Sequence, residues 1–331
     1  MNEYPETLIS TGNTCRLMKA LQKTRNGEKI KIVFLGASVT AKTFDPAMFT
    51  KSYAEFFSER FVEEFGPAEI INSGDIGSGS IIGLYRTDHD VLQYEPDIVF
   101  VEFAISDYPT NETLECYEGI LRKALLYKSE PAVIPIYVTT KNYDNTQPYK
   151  VPYGKHYDLM MISIHNFVKK KIDSNEMTWE DYSNDLTHPN DNGQSMICDI
   201  ILWCLKQAEK KTPDTEYVVP EPYVCGFYEN ALSEYNIKNE LKNNDVFTKT
   251  VTCRRFVIIY TLRPDPDYGS IEVYTDGKLF STVEGYNITA WGNPSHEVIA
   301  FSDEPKEHTI IVKLASYDKN KKFEINGICY C

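Results

Sequence analysis

The sequence predicts an α/β domain with a parallel sheet covered on both faces, followed by a smaller all-β sandwich. Three observations carry this. Short continuous apolar runs alternate with helical patterns through the first 210 residues, as expected of strands buried on both faces and crossed over by helices. A Pro-rich stretch, TPDTEYVVPEPY (212–223), then breaks the pattern. Beyond it only strand-like segments follow. At 331 residues the chain is long enough for two domains, which we place at 1–212 and 220–331.

In chain order, KIKIVFLG (29–36) is a short apolar run closed by Gly, and SYAEFFSERFVEEFG (52–66) has helical spacing and also ends on Gly. AEIINSG (68–74) reads as a second strand and GLYRTDHDVLQ (83–93) as a polar helix. DIVFVEFAI (97–105) is the third strand, ETLECYEGILRKALLY (112–127) a helix, and AVIPIYVTT (132–140) a fourth strand. LMMISI (159–164) is a weak fifth, and the segment 189–211 a long closing helix, with Pro189 suited to its first position. After the Pro-rich stretch, the runs 254–262, 270–284, 296–301, 308–314 and 321–331 are strand-like. Asp276-Gly277 marks a tight hairpin turn within the second of them.

Composition narrows the function. Hydrophobic residues make up 42% and charged residues 25%, with a net charge of -14. That balance argues against nucleic acid or an anionic membrane surface as partner, since both need a basic footprint. No stretch has the apolar length of a membrane span. The N-terminal residues lack a basic start followed by a long apolar core, so a cytoplasmic location is expected, or a secreted one if a native leader precedes this start. The eight cysteines are scattered without a CxxC pair, which suits reduced packing thiols. Cys329 and Cys331 would share a strand face, but two further ligands for a metal are missing from the pattern.

Sites in parallel sheets lie beyond the carboxyl ends of the strands, and four segments gather there. FLGASVT places Ser38 just past the first strand. INSGDIGSGS gives a Gly-rich turn after the second, and AISD ends the third. DYSNDLTHPNDNG carries Asp185 three residues before His188. Each is weak alone: a Ser after a strand is usually a helix cap, and GDIGSG does not make the GxGxxG of a dinucleotide site. Together they supply a nucleophile, a base, a carboxylate to orient the base, and backbone donors.

This combination, in this order, resembles the SGNH (GDSL-like) hydrolase family. FLGASVT is similar to its first block, INSGDIG to its second, VEFAISD to its third and DLTHPN to its fifth. Within the family the chain looks most similar to bacterial acetylxylan-esterase-type carbohydrate esterases. The tail EVYTDGK…AWGNPSHEVIAF resembles the β-sandwich appended to some of them. The resemblance implies a flavodoxin-like three-layer α/β/α domain with a jelly-roll-like accessory sandwich. It implies a serine esterase that removes acetyl groups from an acetylated oligo- or polysaccharide, with no metal or cofactor. Ser38 would be the nucleophile, His188 the base and Asp185 its orienter. The N–H groups of Ser38 and Gly77 would form two parts of the oxyanion hole. The family's third block normally ends Asn-Asp, the Asn amide being the third donor; here Ser106 stands in that place. That departure keeps two alternatives open, a carbohydrate O-acyltransferase and a catalytically weak or inactive carbohydrate-binding protein.

Trp179 and Tyr182, before the base, are candidates for the wall of a sugar pocket, with core packing as the competing use of aromatic side chains. Trp291 and Tyr286 in the sandwich are weaker candidates for the same role. Arg86 is expected to pair with Asp90 one helical turn on. His89 and His165 read as structural or surface residues.

Overall fold

The computed structural model describes residues 3–42 and 45–331. The chain divides into two compact units, Met1–Gly226 and Phe227–Cys331.

The first unit opens with a short strand β1 (Leu8–Ser10) and helix α1 (Cys15–Arg25). Strand β2 (Ile30–Gly36), helix α2 (Tyr53–Glu64), strand β3 (Ala68–Gly74) and helix α3 (Ser80–Asp90) follow. Then come β4 (Ile98–Glu102), α4 (Asn111–Leu125), β5 (Ala132–Tyr137), α5 (Gln147–His156), β6 (Met161–Ser163), α6 (Ile164–Asp173) and α7 (Asp191–Glu209). The sheet order is β1-β6-β5-β4-β2-β3. Strands β2 to β6 run parallel, while β1 joins the β6 edge antiparallel. Chain direction across the sheet reverses at β2, which pairs with β3 on one side and β4 on the other. That switch point opens a crevice beyond the strand ends, and Ser38 lies there.

Alternate residues of the strands face opposite layers. Ile32, Phe34, Ile98, Phe100, Ile134 and Ile136 pack with apolar residues of α1, α2, α6 and α7 in one core. Phe34 and Phe100, both fully buried, stack with ring centroids 4.6 Å apart. Helices α3 and α4 pack together against the other face. Ser52 and Glu55 form a capping box at the start of α2, which satisfies two N-terminal N–H groups reciprocally.

Several details differ from the sequence reading. Helix α3 begins at Ser80, and Ser80 to Thr87 are all buried, so it is a packed helix and not a polar surface one. Pro189 is not the first helical residue. Asn190 caps α7 by accepting the Gly193 N–H at 3.0 Å, and Pro189 lies just before it, bridged to Ser183. Helices α5 and α6 were not anticipated.

The segment after α7 is strapped onto the first unit. Asp214 accepts the N–H and hydroxyl of Thr14 at 2.8 and 2.9 Å, and the Tyr217 hydroxyl donates to the Tyr157 carbonyl at 2.6 Å. The fully buried carboxylate of Glu118 accepts the backbone N–H groups of Tyr223, Val224 and Cys225. A chain cut after Gly226 keeps these bonds, whereas one cut after Thr212 strips Glu118 of them. Removing a partner from a buried charge costs about 3–5 kcal/mol, roughly 10 °C in Tm for a unit this size. We therefore expect residues 1–226 to fold and hydrolyse a small ester without the rest, and 1–212 to melt well below it. Calorimetry of the two fragments checks this.

The second unit contains β7 (Leu232–Lys242), β8 (Val246–Cys253), β9 (Arg255–Thr261), β10 (Ser270–Thr275), β11 (Lys278–Glu284), β12 (Pro294–Ala300), β13 (Lys306–Leu314) and β14 (Lys322–Tyr330). They form two four-stranded antiparallel sheets, β11-β10-β13-β8 and β12-β9-β14-β7. Ile271, Val273, Ile310 and Val312 from one meet Phe256, Ile258, Phe323 and Ile325 from the other in a shared core. Asp276 and Gly277, at φ 51° and 78°, form the hairpin turn between Thr275 and Lys278.

Candidate active site

Ser38 stands in the tight turn leaving β2, where the N–H groups of Thr40 and Ala41 return to the Ala37 carbonyl at 3.1 and 3.0 Å. A side chain at Gly36 would sit 2.2 Å from Thr40 Oγ1 and 2.9 Å from the Glu102 carbonyl, so only glycine lets the turn close. The Ser38 hydroxyl is half-buried and 3.0 Å from His188 Nε2. His188 Nδ1 is 2.9 Å from Asp185 Oδ2. An ionised carboxylate can only accept, so Nδ1 carries the proton and Nε2 is left to accept from Ser38.

The loop bearing Asp185 and His188 is held by its own polar groups. Asp185 Oδ1 accepts the backbone N–H groups of Thr187 and His188, both at 2.6 Å. The Ser183 hydroxyl donates to the His188 carbonyl at 2.6 Å, and the Trp179 indole N–H to the Asp185 carbonyl at 2.6 Å. From the next loop, the Lys141 N–H reaches the Leu186 carbonyl at 2.9 Å. Partial burial would raise the Asp185 pKa, but the hydrogen bonds from the His188 ring and from the Thr187 and His188 N–H groups outweigh it and hold the carboxyl below its usual range.

Gly77 lies in the turn after β3, exposed and at φ 76°, a conformation that side chains disfavour. Ser106 is half-buried in the turn leaving β4. Trp179 and Tyr182 correct the sequence reading: they are 5% and 0% exposed and belong to the main core. Neither offers a face to a sugar; Trp179 instead supports the Asp185 loop. Arg86 pairs with Asp90 at 2.6 Å and donates to the Ser73 carbonyl at 2.6 Å. His165 Nδ1 meets Asn145 and Thr139 at 2.8 and 2.9 Å. In the sandwich Trp291 is exposed and Tyr286 half-buried. Among the described residues no group of three or more His, Cys, Asp or Glu is placed to hold a metal. No helix among them is long and apolar enough to cross a membrane.

Two buried ionisable residues near these turns escaped the sequence reading, Glu102 and Lys150. Glu102, the last residue of β4, is fully buried. Its carboxyl accepts from the Ala104 N–H and the Thr40 hydroxyl, each at 3.2 Å, and Thr40 Oγ1 lies 2.7 Å from the Tyr53 hydroxyl. Burial pushes its pKa up to about 7, against the pull of these donors and of Lys150. The neutral form is therefore favoured by folding, and the unfolded chain loses this proton first as pH rises. Stability should fall between about pH 4.5 and about pH 7 and level off above. The shift is worth about 3 kcal/mol. Glu102→Gln should flatten that part of the Tm profile, which a thermal-melt series across pH 4 to 8 would reveal.

No protein-family model matches the chain, and no curated protein matches it in sequence. Solved structures do. A two-domain esterase (CEX) active on acetylated mannans, solved with mannopentaose, aligns over 99% of this chain and 97% of its own, with a TM-score of 0.88 and 23% identity. The chain has the fold of a two-domain esterase. The same enzyme without the mannopentaose aligns over 99% and 98% at the same TM-score and identity. An acetyl xylan esterase, AlAXEase, aligns over 52% of this chain and 98% of its own, with a TM-score of 0.42 and 18% identity. The first unit is an α/β domain with a largely parallel sheet and the second a β-sandwich, as in that two-domain structure.

Proposed function

We propose that the protein is a serine esterase that removes acetyl groups from carbohydrates. The observation that carries this is the unbroken hydrogen-bonded chain from Ser38 Oγ through the His188 ring to Asp185. It lies at the carboxyl edge of the sheet, where such sites belong. Ser38 Oγ attacks the ester carbonyl while His188 Nε2 takes its proton. The tetrahedral oxyanion is held by the N–H groups of Ser38 and Gly77. His188 returns the proton to the departing sugar oxygen, leaving an acetyl-enzyme and a free sugar hydroxyl. Water then attacks with His188 as base, and acetate leaves.

The full-length likeness to an esterase active on acetylated mannans supports an acetylated polysaccharide as substrate. Tyr108, two residues past Ser106, is 83% exposed, and Leu186, between Asp185 and His188, is 63% exposed. Both are exposed apolar side chains on the turns that carry Ser106 and His188, and an exposed aromatic face such as that of Tyr108 suits stacking on a sugar ring. Acetate release from acetylated manno-oligosaccharides, acetylated xylan and an aryl acetate tests the reading. Transfer to an added sugar faster than to water would make the protein an acyltransferase. No turnover on any ester would leave a carbohydrate-binding protein.

Ser106 sets the expected rate. Asn carries its amide nitrogen one bond farther from the backbone than a serine hydroxyl, so Ser106 reaches the oxyanion poorly. An oxyanion donor is worth about a hundredfold to a thousandfold in turnover. Ser106→Asn should raise kcat at least several-fold within that range, measured on an aryl acetate. A folded Ser106→Asn variant that is no faster would mean that another group supplies the third donor.

A further inference from the structure

Lys150 and Asp107 form a buried ion pair, Nζ to Oδ2 at 2.5 Å, with side chains 1% and 4% exposed. Such a pair is a poor device for stability, because desolvation consumes most of the attraction and apolar replacements are often as good. Its position explains it better. Asp107 follows Ser106 at the end of the β4 turn, and Lys150 comes from α5. The third member is Ser80, the first residue of α3 and three residues after Gly77.

Asp107 Oδ1 accepts the Ser80 N–H at 2.8 Å, and Oδ2 accepts the Ser80 hydroxyl. Lys150 Nζ donates to Asp107 and, at 2.9 Å, to the Phe103 carbonyl at the other end of the same turn. Its ammonium also sits 4.5 Å over the Tyr117 ring. Thr146, just before α5, is itself tied to this turn, its N–H and hydroxyl donating to the Ala104 carbonyl at 2.7 and 2.9 Å. The turn carrying Ser106 and the loop carrying Gly77 are therefore clamped to each other through one carboxylate, and one ammonium holds that carboxylate in place. Gly79 fits the clamp: its φ of -135° is open to any residue, yet a Cβ there would lie 2.5 Å from Asp107 Oδ1. Glycine serves here for space alone. Charge points the same way. Burial lowers the Lys150 pKa, and Asp107, ahead of Glu102, pulls it back up, so the ammonium is held chiefly by the carboxylate that it positions.

We propose that Lys150 is a positioning residue for the oxyanion hole, locking the Ser106 turn to the Gly77 loop through Asp107. This rests on the esterase reading, and it accounts for how a site lacking the Asn amide keeps its backbone donors aimed. Lys150→Met removes the cation, and Gly79→Ala displaces Asp107 while leaving both buried charges present. Each is assayed in the full chain on an aryl acetate, per Ser38 titrated with a sulfonyl fluoride, alongside inhibition by phenylboronic acid, whose tetrahedral adduct on Ser38 places an oxygen in the hole. We expect kcat to fall at least tenfold in both variants, KM to stay within twofold, and the boronate inhibition constant to rise in step with the loss of kcat. A purely structural pair would lower Tm and the titratable fraction while leaving kcat per labelled site and boronate affinity unchanged, and that result overturns the proposal. If Lys150→Met does not fold, Gly79→Ala gives the same readout. A wild-type chain that neither turns over nor is labelled at Ser38 defeats the esterase reading itself, whereas a working wild type with indifferent variants defeats only the role of Lys150.

Discussion

Ser38→Ala should abolish acetate release, with kcat falling by about 10⁶, as when a triad nucleophile is removed outright. Three other hydroxyls nearby are already engaged in structure: Ser80 with Asp107, Ser78 with the Asp75 carbonyl at 2.7 Å, and Thr40 with Glu102 and Tyr53. The fold should be indifferent, because the half-buried Ser38 hydroxyl bonds His188 and spans no core contact. A surface-facing serine exchanged for alanine away from caps and cores changes stability by about 0.5 kcal/mol or less, so Tm should barely move. A sulfonyl fluoride or phosphonate should label Ser38 in the wild type and nothing in the variant. A label found on Ser78, Ser80 or Ser106 would put the nucleophile elsewhere.

The features legible in the sequence are those that local physics determines. Strands β2, β4 and β5 are buried on both faces, so they show as continuous apolar runs, and their short length and β-branched content favour strand over helix. Strands β7 and β8 were missed because LSEYNIKNELK carries many polar residues and VFTKTVTC is exposed at alternate positions. Helix α5 was missed because Pro148, Pro152 and Gly154 interrupt any apolar stripe; its place in the fold is secured by Lys150 and Thr146, which act across the chain. The meeting of Ser38, His188 and Asp185 was legible because Asp185 and His188 are three residues apart and Ser38 follows a strand. The support beneath it was not. Glu102 left a trace, a charge inside an apolar run, whereas Lys150 meets Asp107 from 43 residues away. Trp179 and Tyr182 stayed open between sugar wall and core because an aromatic residue in a loop reads alike whether it stacks on a ligand or fills a core.

His188→Ala and Asp185→Ala should separate by about a hundredfold in kcat, the base near 10⁶ below wild type and the orienter near 10⁴. In the proposed mechanism His188 moves the proton in both half-reactions, so its loss would leave Ser38 as a neutral hydroxyl. Asp185 moves none. It fixes the ring through Oδ2 at 2.9 Å and fixes the loop through Oδ1, which accepts two backbone N–H groups at 2.6 Å. Those tasks can be parted. Asp185→Asn keeps the Oδ1 acceptor for the loop but turns an N–H toward His188, which favours the tautomer with its proton on Nε2 and costs about 10⁴. If Asn and Ala variants are equally slow while only Ala lowers Tm, orientation of the ring is the catalytic contribution and the loop bonds serve stability. The pH dependence of that stability has a definite sign. Asp185 is held below the ordinary carboxylate pKa, so its contribution is complete above that ordinary value and is lost as pH falls through the depressed one. The wild type should therefore lose Tm on acidification more steeply than Asp185→Asn. Variants of His188 and Asp185 that both kept most of the wild-type rate would dismiss the triad, whatever the distances between its members.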